Sequence, residues 1–116
     1  LTLECGQHDD PAAPEVAYRA MHNTLAHRQL SAAPAPAGVA ATEALRLYQV
    51  IDRAHDKDRF VRDWASFDHV RAGEVIGTRH DGEPVVADCD GYIVFPNPNA
   101  RPGQEWFYLA KSSTRV

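Results

Sequence analysis

The stretch GEVIGTRHDGEPVVADCDGYIVFPNPNARPGQEWFYLA, residues 73–110, decides the fold of the chain. Its apolar runs, such as those at 92–95 and 105–110, are short, and turn-forming residues separate them at close spacing, which is typical of β-strands joined by tight connections. The pairs Asp81-Gly82 and Asp90-Gly91 are strong hairpin signals because glycine adopts positive φ at low cost. The second half of the chain is therefore predicted to be a small, mainly antiparallel β module.

The first half of the chain has a different pattern. Residues 1–6 alternate like a short strand, and apolar residues then recur at helical spacing, which predicts a helix over residues 14–29. The run SAAPAPAG, residues 31–38, has the small residues and prolines of a linker. A strand and a helix are thus expected to precede the β module, with a flexible connection between them.

Residues 41–52 are ambiguous, because their apolar positions fit both a strand and one face of a helix. We favour a strand, since the sequence that follows is β-rich. The predicted fold class is α+β. The predicted parts are a strand and helix (1–30), a Pro/Ala linker (31–42) and a C-terminal β module (43–116).

Charge and hydropathy exclude several kinds of partner. The chain has 116 residues and a net charge of −4, with 12 basic residues scattered among 16 acidic ones. A basic face for nucleic acid or for an anionic membrane surface is not predicted. No apolar run approaches the roughly 20 residues of a membrane-spanning helix. We therefore expect neither nucleic acid nor membrane as a partner.

The two cysteines, Cys5 and Cys89, lack C-x-x-C spacing, so neither a zinc knot nor a redox pair is predicted. Free thiols in a reducing compartment are the simpler interpretation, and we expect a cytoplasmic location. The chain begins at Leu1 without a methionine or a recognisable leader. We expect it to be a piece of a longer protein.

Glu4 is the first candidate for chemistry, because its carboxylate interrupts the apolar alternation of residues 1–6. A buried carboxylate costs several kcal/mol unless it is paired. At the end of a strand and before a glycine, such an acid is typical of an active site, where it can act as a general base. At a frayed chain end it would instead be solvated. His8, Asp9 and Asp10 could bind a metal, but their spacing favours an exposed polar loop.

Two stretches in a fixed order carry a family resemblance: TLECGQH at residues 2–8, then GEVIG and DGYIVFPNPNARPGQEWFYLA within residues 70–110. In this combination the chain resembles the C-terminal part of the succinylglutamate desuccinylase/aspartoacylase family of zinc-dependent hydrolases. The family's catalytic domain is similar to that of zinc carboxypeptidases. The resemblance implies that residues 1–30 are the remnant of an α/β catalytic domain. It also implies that the full-length protein removes an N-acyl group, succinyl or acetyl, from an amino acid.

The resemblance gives Glu4 a role. Glu4, Cys5 and Gly6 match the family's E-x-G phrase, whose glutamate takes a proton from a zinc-bound water and delivers it to the leaving amine. The family's zinc ligands, an H-x-x-E pair and a later histidine, lie upstream of this phrase. We therefore expect zinc in the full-length protein, and neither a metal site nor hydrolysis in this chain alone.

The resemblance also implies a barrel-sandwich type for the β module, which caps the active-site mouth in relatives. The loop at 96–102 is expected to reach that mouth, where Asn97, Asn99 and Arg101 would contact substrate; a plain exposed turn is the alternative. The implied partners are an N-acyl amino acid and the missing N-terminal catalytic domain, and self-association of the chain is a further expectation. The alternative function is a non-catalytic β module for docking or oligomerisation.

Overall fold

The computed structural model of the chain describes residues 3–6, 10–38 and 43–114. One helix and seven strands are assigned within these ranges. The chain divides into two compact units, Leu1–Ala41 and Thr42–Val116. No helix of the described ranges has the length and apolar character needed to cross a membrane.

Helix α1 (Ala13–His27) is the regular element described in the first unit. Pro14 lies in its first turn, where the missing N–H costs nothing, and Glu15 follows it there, where the helix dipole favours an acid. The helix ends as the Arg28 N–H donates to the carbonyl of Thr24 at 2.9 Å and Gln29 takes a φ of 59°. The helix predicted over 14–29 is therefore confirmed, with small differences at both ends.

The strand predicted at residues 1–6 is not found in the part of this segment that the structure describes. Residues 3–6 carry no strand assignment, and residues 1 and 2 lie outside the described ranges. A strand requires backbone hydrogen bonds to a neighbouring strand. All strand pairs of the described sheets lie in the second unit. Residues 3–6 therefore have no strand partner among the described residues of the first unit, despite their alternating pattern.

Several large apolar side chains of α1 remain exposed. Tyr18, Met21 and Leu25 keep 54%, 60% and 42% of their surface accessible. Met21 and Leu25 also line an apolar groove of about 470 Å³ within the first unit, together with Leu3 and Cys5. The helix thus carries an apolar face that the described residues leave largely uncovered.

Two antiparallel sheets form the second unit. The larger sheet contains β1 (Ala44–Asp52), β3 (His69–Val70), β6 (Gly91–Val94) and β7 (Glu105–Ser113), in the order β1-β7-β6-β3. The smaller sheet contains β2 (Arg59–Phe60), β4 (Val75–Thr78) and β5 (Pro84–Val86), in the order β2-β4-β5. The prediction of a mainly antiparallel β module is confirmed, and the ambiguous segment at 41–52 contributes strand β1.

The expected barrel-sandwich type needs a correction, because the two sheets do not close into a barrel. Strands β1 and β3 end the larger sheet, and no further strand of the described residues pairs with them. Strand β1 pairs with β7 over nearly its whole length, with register shifts between Leu47 and Gln49 and between Ile51 and Asp52. Register shifts of this kind are typical of β-bulges, which bend a strand. Strand β1 nevertheless pairs only within the larger sheet of the described residues.

The two Asp-Gly pairs have different structural roles. Asp81-Gly82 forms the predicted turn between β4 and β5, with a φ of +91° at Gly82. Asp90-Gly91 does not form a hairpin turn, because Gly91 is the first residue of β6. A side chain at Gly91 would collide with the carbonyl oxygen of Ala110 on β7. Glycine is required at position 91 because strands β6 and β7 approach closely there, and not because the backbone needs a positive φ.

The hydrophobic core of the second unit lies between the sheets and includes an aromatic cluster. Trp106 and Phe107 on β7 are 1% and 0% exposed, and Phe60 stacks on Trp106 with 4.6 Å between ring centroids. Full burial of a large apolar side chain stabilises a fold by about 1.5–3 kcal/mol. The other buried residues of this core are Ile51, Val70, Ile76, Ala87, Ile93, Ala100 and Leu109.

Candidate functional site

Glu4 lies in the first unit, in a segment without regular secondary structure. Gly6 has a φ of +125°, and a Cβ there would lie 2.8 Å from Oδ2 of Asp10. The Asp10 carboxylate accepts the N–H of Ala12 at 2.8 Å, and the backbone carbonyl of Asp10 accepts the N–H of Ala13 at 3.1 Å. The positive φ of Gly6 therefore favours glycine at this position before α1. Asp10 has this local role, whereas His8 and Asp9 lie outside the described residues.

The Glu4 side chain is exposed, and no hydrogen bond or ion pair involving it is found among the described residues. Its neighbour Cys5 is a half-buried free thiol. The other three predicted site residues, Asn97, Asn99 and Arg101, belong to the second unit. The sequence-predicted residues are thus divided between the units, with three of the four on one loop.

The loop at 96–102 has a defined internal structure. The backbone N–H of Asn97 donates to the Trp106 carbonyl at 2.8 Å, and Oδ1 of Asn97 accepts the N–H of Asn99 at 3.1 Å. The N–H of Arg101 donates to Oε1 of Gln104 at 2.8 Å. Asn97 therefore uses its side-chain oxygen to shape the loop, as asparagine does in Asx turns. The side chains of Asn99 and Arg101 are exposed and carry no polar contact within the described ranges.

Arg53, which the sequence did not single out, holds this loop in place. Its Nη1 donates to the carbonyls of Pro98 at 3.0 Å and Ala100 at 2.7 Å, and its Nη2 donates to those of Asp56 and Asp58, both at 2.8 Å. Arginine suits this position because its planar fork presents several donors in fixed directions. One guanidinium thus ties the segment after β1 to the loop at 96–102.

Asp58 is the fully buried charge of the second unit, with 0% of its surface exposed. Oδ2 of Asp58 accepts the N–H groups of Ala54 and His55 at 2.9 and 3.1 Å, and also Nη1 of Arg79 at 2.9 Å. Oδ1 accepts the N–H of His80 at 2.8 Å. This carboxylate joins the end of β1 to the β4–β5 hairpin, and all its contacts are with positive charge or N–H donors.

The pKa of Asp58 reflects opposing effects. Burial alone raises the pKa, but the hydrogen bond from Arg79 and the three backbone N–H donors outweigh it and lower the pKa from 3.8 to about 2. The buried carboxylate is therefore ionised over the physiological pH range. It acts as an ionic anchor and has no proton to exchange near neutral pH.

Histidine and acidic side chains, the ligand types that metal sites use, occur among the described residues. An H-x-x-E match exists at His80 and Glu83, downstream of the E-C-G phrase. His80 instead stacks on His55, with 4.5 Å between ring centroids, and its Nδ1 lies 3.8 Å from Asp58. No group of three or more potential metal ligands is found in the described part of the chain.

The sequence reasoning missed the Arg53–Asp58 network because its contacts are non-local. Arg53 reaches carbonyls 45 and 47 residues away, and Asp58 binds Arg79 21 residues away. The available signal was the unusually polar run RAHDKD directly after β1, residues 53–58. Such a run predicts an exposed loop equally well, so composition alone could not identify a buried aspartate.

Comparisons with known proteins identify no relative of this chain. No family model, no curated protein and no solved structure matches it.

The Asp58 carboxylate predicts how stability depends on pH. Because its pKa is lower in the folded chain than the ordinary 3.8, its contribution is fully present above about pH 4 and is lost as the pH falls towards 2. Urea midpoints measured by tryptophan fluorescence between pH 6 and pH 2 should decline most steeply in that window. In Asp58→Asn the urea midpoint should fall less steeply with pH in this window. Equal slopes of midpoint against pH for wild type and variant would contradict the assignment of the effect to Asp58.

Proposed function

We propose that this chain is the C-terminal portion of a zinc-dependent amidohydrolase that removes an N-acyl group from an amino acid, with Glu4 as general base. The observation that carries the proposal is the E-C-G phrase at residues 4–6, whose glutamate is exposed and has no polar partner in the described residues. An exposed carboxylate is solvated, so no contact within the described residues competes with proton transfer from a water molecule.

The chemistry assigned to Glu4 is a proton relay. The carboxylate accepts a proton from the water that attacks the acyl carbon, and delivers it to the amine as the C–N bond breaks. General-base catalysis of this kind contributes about 10²–10⁴-fold to a rate. No group of three or more potential metal ligands is found among the described residues, and in this proposal the zinc ligands lie upstream of Glu4.

The second unit has a supporting role in this proposal. Arg53 fixes the backbone of the loop at 96–102 through Pro98 and Ala100, which leaves the side chains of Asn99 and Arg101 in solvent. An arginine held on an ordered loop is well suited to bind a substrate carboxylate through paired hydrogen bonds. We assign substrate contact to Asn99 and Arg101, while Asn97 shapes the loop.

The partner and location follow from the same proposal. The exposed apolar face of α1, including Met21 and Leu25, is a surface that the catalytic domain would cover. Self-association of the isolated chain through this face is the expected consequence of its exposure. Cys5 and Cys89 are free thiols, which fits a reducing cytoplasm.

The test uses the natural full-length protein and compares Glu4→Gln with wild type. The variant should lose at least about 100-fold in kcat for N-acyl amino acid hydrolysis, because glutamine cannot accept the proton. Bound zinc, measured by atomic absorption, should stay unchanged. Glu15→Gln is the matched control, since Glu15 is an exposed acid of the same unit whose side chain pairs only with Arg19; its activity should match wild type.

Wild-type turnover in Glu4→Gln would contradict the proposed role of Glu4. Absence of hydrolysis in wild type, with zinc absent as well, would overturn the enzyme assignment. The chain would then be a β module for docking or oligomerisation.

A further inference from the structure

A cavity of about 280 Å³ lies in the second unit beside strand β2. Three arginines, Arg53, Arg59 and Arg62, line it together with Phe60, Trp106 and Pro98. The volume is at the lower end of the range for small-molecule sites, so its ligand must be small. Positive charge and aromatic surface thus meet in one open cleft.

The charges of the cavity wall do not cancel locally. Asp58 also lines the cavity, but its carboxylate is already engaged by Arg79, which is not part of the wall. Asp63 is the other acid of the wall, against three arginines in the same wall. An anion would therefore find a net positive surface there.

Arg53 and Arg59 are the arginines of the wall that have no carboxylate partner among residues 43–114. The guanidinium of Arg53 donates only to backbone carbonyls, and its Nε is buried without a hydrogen-bond acceptor. The exposed Arg59 side chain has no hydrogen bond or ion pair within the same residues. Arg62 differs, since it pairs with Asp68 at 3.1 Å. Arg59 is thus the donor that is free to bind an incoming anion.

The apolar part of the wall is aromatic and rigid. Phe60 and Trp106 are stacked with 27° between their ring planes, and Trp106 is packed into the core. Arg62 lies over the ring of Trp64, with its Cζ 3.4 Å from the ring centroid, which restrains its orientation. A ligand that combined a flat apolar body with one negative end would match both parts of the wall.

We propose that this cavity binds a small organic carboxylate, with the carboxylate on Arg59 and the apolar body against Phe60 and Trp106. The site is independent of Glu4 and of hydrolysis, so it stands apart from the proposed function. The site should prefer such a carboxylate over inorganic anions, which make no apolar contact with Phe60 and Trp106. It should also prefer it over neutral aromatic molecules, which carry no charge for Arg59.

The probes are benzoate, its neutral analogue benzamide, and inorganic phosphate, each titrated into the ¹⁵N-labelled 116-residue chain. Benzoate should cause saturable chemical-shift changes at the amides of Arg59, Phe60 and Trp106, and none along α1. Benzamide and phosphate should each bind at least about tenfold more weakly, because each lacks one of the two contacts. Benzoate affinity should also fall as ionic strength rises.

The variant Arg59→Gln should weaken benzoate binding about tenfold, since it removes a charge-assisted hydrogen bond from an exposed side chain without disturbing the core. Arg71→Gln is the matched control, because Arg71 is an exposed arginine outside the cavity, and its affinity should equal that of wild type. Unchanged binding in Arg59→Gln, equal binding of benzamide or phosphate, or the absence of saturable shifts would each overturn the proposal.

Discussion

Replacing Asp58 by alanine is expected to lower the free energy of unfolding of the second unit by about 3–5 kcal/mol. The substitution removes a fully buried carboxylate that accepts from four donors; the Arg79 guanidinium keeps its bond to the Asp52 carbonyl, and three backbone N–H groups lose this acceptor. These donors are the guanidinium of Arg79 and the N–H groups of Ala54, His55 and His80. An arginine left beside a buried site without its counter-charge is costly, because the desolvation of both groups was balanced only by their pairing.

Urea unfolding followed by tryptophan fluorescence measures this effect, since both tryptophans, Trp64 and Trp106, lie in the second unit. Asp63→Ala is the matched control, because Asp63 is an exposed aspartate five residues along the chain, and it should change stability by less than about 0.5 kcal/mol. Equal midpoints for the two variants would show that Asp58 does not anchor the fold.

The elements of the fold were predictable where local chemistry decides them. Apolar spacing and Pro14 identified α1, and short apolar runs with the Asp81-Gly82 turn identified the β module. These signals depend on residues that are close together in sequence, so the sequence alone is enough to predict the helix and the hairpin. Of the strand predicted at 1–6, residues 3–6 carry no strand assignment, and strand formation depends on a partner that alternation cannot reveal.

The candidate site was predictable only in part, for the same physical reason. Gly6, two residues after Glu4, has a positive φ and a close approach to Asp10 that the sequence pattern did not indicate. The loop of Asn97, Asn99 and Arg101 was proposed from the family resemblance, and the side-chain role of Asn97 in shaping it was not foreseen. Arg53 and Asp58, which order this region, were missed because their burial arises from contacts between distant segments.

Replacing Gly91 by alanine is expected to destabilise the second unit by about 3 kcal/mol or more. A methyl group at this buried position would overlap the backbone carbonyl oxygen of Ala110, and backbone cannot move aside as a flexible side chain can. Strand β6 would have to separate from β7, which weakens the pairing of Tyr92 with Ala110 and of Ile93 with Leu109. Ile93 and Leu109 are also core residues with 0% and 1% exposure, so the separation would open the hydrophobic core.

Gly73→Ala separates this steric effect from the general cost of losing a glycine. Gly73 has a φ of +80° but open space around its Cβ position, so alanine there should cost only the roughly 1–2 kcal/mol of a left-handed backbone. Chemical unfolding should therefore rank wild type first, Gly73→Ala second and Gly91→Ala last, with amide exchange in β6 and β7 accelerated only in the last. If Gly91→Ala were as stable as Gly73→Ala, strands β6 and β7 could separate without disturbing the packing of Ile93 and Leu109. That result would contradict the predicted clash with Ala110.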